Sequence, residues 1–85
     1  MPTEDHHGDA LLETARLELA RAHRGVIAMD ASEVRRGVEI ALAALRDVPN
    51  QGIAASKLTK ALEDLDAGSL AEMDALIEEV RTALE

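Results

Sequence analysis

The residues of this chain that could do chemistry include three histidines (His6, His7, His23), three serines (Ser32, Ser56, Ser69) and paired carboxylates such as Glu63/Asp64 and Glu78/Glu79. A carboxylate becomes a general acid or base when its surroundings desolvate it and raise its pKa. Both pairs fall on expected polar helix faces, where nothing would do so. His6-His7 with Asp5 and Asp9 offers ligands to a metal, but neighbours in sequence point in different directions. A polar tail also supplies no fixed geometry. The reading there is a solvated tail, with no metal and no cofactor. His23 lies at the edge of an apolar stripe beside arginines, and we read it as a boundary residue without catalytic duty.

The two Glu-x-x-His motifs that a di-iron bundle uses do not occur together in this chain. Gly-x-x-x-x-Gly-Lys, Gly-x-Gly-x-x-Gly and Gly-x-Ser-x-Gly are absent. Ser32 and Ser69 stand at expected helix starts, where a hydroxyl serves as a cap. The expectation is that the chain is not an enzyme.

The elements that must position these groups are helices. At 100° per residue, Leu70, Met73, Leu76, Ile77, Val80, Ala83 and Leu84 share an arc of roughly 140°. Ser69 and Glu72 form a Ser-x-x-Glu capping box at its start. Upstream, Ala54, Leu58, Ala61, Leu62 and Leu65 make a second stripe, with Ser56, Lys57, Thr59, Lys60, Glu63 and Asp64 outside it. Gly68 is placed to take a positive φ and end that helix. Two stripes joined by so short a link face each other or share a third surface.

Residues 1–8 are polar and aperiodic and read as a disordered tail; residues 9–85 read as a single helical domain. Asp9 is expected to cap a first helix whose seam is Leu12, Ala15, Leu19, Ala22 and Val26. Gly25 ends this helix or weakens it. Asp30 or Ser32 caps a second helix with the stripe Val34, Val38, Ala41, Leu42, Leu45 and Val48. Gly37, Ile40 and Ala44 widen its apolar arc to roughly 200°. Pro49-Asn50-Gln51-Gly52 forces a turn. The fold expected is all-α, a small bundle of four short antiparallel helices near 9–28, 31–47, 53–66 and 69–84, completed by dimerisation.

Composition bounds the rest. With 85 residues and no Phe, Tyr or Trp, the core must be aliphatic and thin. Small scaffolds of this kind often gain stability by associating. The absence of Cys excludes disulfides and thiolate sites. No apolar run approaches the ~20 residues of a membrane span and no signal peptide is visible, so the expected location is cytoplasmic. A net charge of −8 opposes nucleic acid or an anionic membrane as partner. The charge is uneven: Leu62 to Glu85 carries eight acidic residues against Arg81 alone, whereas Arg16 to Lys60 carries eight basic and five acidic. Either acidic and basic faces adjoin within one bundle or across a dimer, or the acidic end docks a basic partner.

One stretch resembles a known family. Asp64-Leu65-Asp66-Ala67-Gly68-Ser69-Leu70, leading into an acidic helix, is similar to the prosthetic-group attachment region of acyl carrier proteins. The resemblance implies a carrier domain modified with phosphopantetheine on Ser69, or on Ser32, which lies nearer the family's position in the chain. Gly68 stands where the family has Asp, and only sixteen residues follow Ser69. The alternative from charge is an acidic mimic or antitoxin-like inhibitor of a basic protein.

The leading expectation is a non-enzymatic interaction module that self-associates: an accessory subunit, adaptor or regulator. Its surface is expected at Leu17, Ile27, Gly37, Ile40 and Ala44, with Glu72, Glu78 and Glu79 for a basic partner.

Overall fold

The computed structural model describes residues 4–85, with side chains described from Asp9 onward. Four helices follow one another: α1 (Glu4–Ile27), α2 (Ala31–Arg46), α3 (Gly52–Asp66) and α4 (Leu70–Leu84). Among the described residues there is no strand. α1 packs on α2 and α4, and α3 packs on the same two, so the four helices close a ring around one core.

The stripes read from periodicity are the faces that line this core. Ala15, Leu19 and Ala22 of α1 are fully buried, with Leu12 and Val26 half-buried at the ends of the seam. Opposite them lie Val34, Val38, Ala41, Leu42 and Leu45 of α2, then Ala54, Leu58, Ala61 and Leu65 of α3. Met73, Ile77, Val80 and Leu84 of α4 complete the set. Large side chains with no exposure include Leu19, Leu58, Met73 and Ile77. Each is worth about 1.5–3 kcal/mol relative to an exposed position.

The α1–α2 seam is tight because its contact residues are small. A Cβ added at Gly37 would lie 2.6 Å from the Glu18 carbonyl oxygen and 3.1 Å from Ala22 Cβ. A Cβ at Gly25 would lie 2.9 Å from Val34 Cγ2. Gly25 therefore sits inside α1 as a close-approach residue rather than ending it. The same geometry corrects the expected interaction surface. Gly37 is buried against this chain's own α1, and Ala44 is 7 % exposed within the core. The backbone that the small residues admit is intramolecular.

Helix ends hold further corrections. α1 begins at Glu4, so Asp9 is an exposed residue within the helix and not its cap. The expected start relied on the first apolar residues, yet backbone hydrogen bonding needs no apolar partner. Of the tail expected at 1–8, residues 1–3 lie outside the described residues and the backbone of 4–8 is helical. α1 ends in a paired-bond stop, with Met29 N–H donating to Val26 O (3.0 Å) and Asp30 N–H to Gly25 O (2.8 Å). Met29 takes the left-handed residue of that stop at φ 58°, a place usually held by glycine. α3 ends the same way, with Gly68 at φ 82° and Ser69 N–H donating to Asp64 O at 2.8 Å. Asp30, rather than Ser32, caps α2 by accepting from Glu33 N–H at 3.2 Å. Ser69 stands at the N-cap of α4, but its side chain makes no cap hydrogen bond, so the expected capping box is not formed.

Candidate functional site

The polar residues brought together from furthest apart in the chain lie on the α1–α4 seam. His23 follows the buried Ala22 on α1, and Asp74 and Glu78 follow the buried Met73 and Ile77 on α4. Each polar residue is thus one step, 100°, around its helix from a core position and stands at the shoulder of the seam. Asp74 and Glu78 are four apart, so both carboxylates project from one side of α4. His23 Nδ1 lies 2.8 Å from Asp74 Oδ1 and 3.4 Å from Glu78 Oε2. The three side chains are 31 %, 25 % and 45 % exposed, so water reaches all of them. Arg81 Nη1 donates to the same Glu78 Oε2 at 2.6 Å. Nearer the chain end, Arg16 Nη1 donates to the Leu84 carbonyl at 2.9 Å, satisfying an acceptor that the α4 terminus leaves open.

This arrangement can carry an imidazolium–carboxylate ion pair, or hold a cation with one nitrogen and two oxygens. It was not visible in the sequence because His23 and Asp74 are 51 residues apart. The Asp74/Glu78 spacing is the one local signal. The residues of the His6-His7 cluster, Asp9 excepted, have side chains outside the described ones.

The uneven charge seen in the sequence is partly matched inside the molecule. Arg35 of α2 pairs with Asp66 of α3. Lys57 of α3 approaches Glu79 of α4 at 3.9 Å. Arg21 of α1 grips Glu33 of α2 through two bonds of 3.2 and 3.0 Å, and this hydrogen bonding raises the guanidinium pKa above its ordinary value. Asp64, expected on the outer face of α3, is 6 % exposed. It accepts from Lys60 Nζ at 2.8 Å, and that hydrogen bond raises the Lys60 pKa. Asp64 falls in sequence between the stripe residues Ala61 and Leu65, and its burial is one that alternation of polar and apolar types does not reveal.

The apolar part of the expected surface divides. Leu17 is 60 % and Ile27 71 % exposed, whereas Ile40 is half-buried. Two large residues outside the expectation are also exposed, Met29 and Ile53. Ile53 could have been found, since it lies off the α3 stripe that starts at Ala54. It lines a shallow groove of about 220 Å³ with Gln51, Lys57, Glu79 and Val80. Glu72 is exposed, Glu79 sits opposite Lys57, and Glu78 belongs to the α1–α4 cluster. No helix among the described residues is long and apolar enough to cross a membrane. Compared with protein families, curated proteins and solved structures, the chain matches none.

Proposed function

We propose that this chain is a non-enzymatic helical interaction module, an antiparallel four-helix bundle that works as a homodimer in the cytoplasm in an accessory or regulatory role. The observation that carries the reading is the outward placement of Leu17, Ile27, Met29 and Ile53, each at least 60 % exposed. Single exposed aliphatic residues are ordinary on protein surfaces. Four of them on an 85-residue chain with an aromatic-free core are a sizeable share of its bulky side chains. Their burial against a second copy adds apolar area that a thin core lacks. The antiparallel order is supported by pairings whose numbers run in opposite directions: Gly37 with Glu18 and Ala22, then Val34 with Gly25.

Self-association is favoured over a basic partner because several C-terminal carboxylates are already paired within the chain. The test is sedimentation equilibrium with light scattering. The expected mass is twice the 9.1 kDa of one chain, falling to one chain for a Leu17→Glu, Ile53→Glu double variant with unchanged helical circular dichroism. A monomer at every concentration overturns the reading, whether or not another protein is captured.

A further inference from the structure

The geometry points to a divalent metal site of the zinc class formed by His23, Asp74 and Glu78, one that would clasp α1 to α4. It goes beyond the proposed function and does not depend on it.

Three observations combine. The ligand set is one imidazole nitrogen and two carboxylate oxygens, a set suited to zinc and its transition-metal neighbours. The ligand atoms converge: Nδ1 is 2.8 Å from Asp74 Oδ1 and 3.4 Å from Glu78 Oε2, and all three lie within 4.8 Å of one another. Ligands at about 2.1 Å from a metal stand about 3.0–3.4 Å apart in octahedral or tetrahedral coordination, close to the two spacings that His23 Nδ1 makes with the carboxylates. The three residues also sit on two helices held by separate core contacts, Ala22 beneath His23 and Met73 and Ile77 beneath the carboxylates. That is a supported pair of backbones rather than a loose surface cluster. The three side chains are partly exposed, so water can fill the remaining coordination positions.

A metal takes the place of the proton shared between Nδ1 and Asp74. The Arg81 guanidinium, bonded to Glu78 Oε2, places a positive charge beside the metal position and opposes a second cation there. Arg81 thus acts as a resident competitor, and its removal should tighten binding. Calcium and magnesium are disfavoured, because these hard cations gain little from the imidazole nitrogen that zinc and its neighbours bind strongly.

The experiment titrates the full chain with Co²⁺ as a spectroscopic stand-in for Zn²⁺, followed by Zn²⁺ displacement and by thermal unfolding with and without metal. The expected result is one ion per chain, visible d–d absorption, a melting temperature raised by metal and reversed by chelator, and no displacement by Mg²⁺ or Ca²⁺. His23→Gln, Asp74→Asn and Glu78→Gln should each weaken binding by at least about tenfold, the scale on which even outer partners of a metal site act. Arg81→Gln should strengthen binding, and a His6→Gln, His7→Gln double variant should leave it within about twofold. Each variant is checked for unchanged helical circular dichroism and melting in metal-free buffer; His23→Gln and Glu78→Gln, being partly exposed, provide the pair least able to disturb the fold. No binding by wild-type protein up to about 1 mM metal overturns the site. Binding that survives His23→Gln, or that disappears with His6 and His7, overturns it equally.

Discussion

The two seams that α1 makes differ in kind. Against α2 it presents small residues and no tolerance: Gly25 and Ala22 meet Val34 and Gly37, and the Glu18 carbonyl occupies the place a Gly37 side chain would need. Against α4 it presents His23 and Arg16, which reach Asp74, Glu78 and the Leu84 carbonyl through long, partly hydrated side chains. The first seam is specified by steric exclusion, which is short-ranged and steep. The second rests at its edge on polar contacts, which tolerate displacement and are individually weak in water. A ligand or a solution condition can therefore act on the α1–α4 side; on the α1–α2 side it reaches the Arg21–Glu33 pair at the rim but not the close contacts of Gly25 and Gly37.

Substitutions can break or sharpen this contrast. Gly37→Ala is expected to cost about 2 kcal/mol, the overpacking penalty reduced by the better helix propensity of alanine; urea unfolding measures it. A near-neutral result would mean that α1 and α2 slide apart easily and that the contrast is false. Asp30→Ala, which removes the cap in the α1–α2 connection, should cost about 1 kcal/mol by the same measurement. Met29→Gly should stabilise by roughly 1 kcal/mol, because the left-handed conformation at φ 58° strains any residue with a Cβ. The melting temperature would rise by several degrees. On the other seam, His23→Gln without metal should change stability by no more than about 0.5 kcal/mol, given the exposure of its ion pair. A loss as large as that at Gly37 would show the polar edge to be as stringent as the steric one.

The differing legibility of the two seams follows from the same physics. Periodicity, the restart at Asp30–Ser32 and the stop signals around residues 49–52 and 66–69 were enough to place four helices and the stripes Leu19/Ala22, Val38/Leu45, Leu58/Leu65 and Ile77/Val80, because burial of apolar faces is a local property of each helix. Gly37 was legible as a residue that admits another backbone, but which backbone was not. Cap chemistry was half legible: Asp30 was among the candidates, whereas Ser69 holds the cap position without the expected side-chain bond and a methionine does the work of a glycine.

Amino-acid order alone was sufficient for the number of helices, their core-facing sides and the aliphatic nature of the core, since each depends on residues within about two turns of one another. The packing of the folded chain decided the rest: Gly37 and Ala44 turned inward, Asp64 was buried, and His23 was brought to Asp74 and Glu78. Those outcomes depend on how one helix is rotated and raised against another, a sum of many weak contacts between distant residues that no single stretch of sequence encodes.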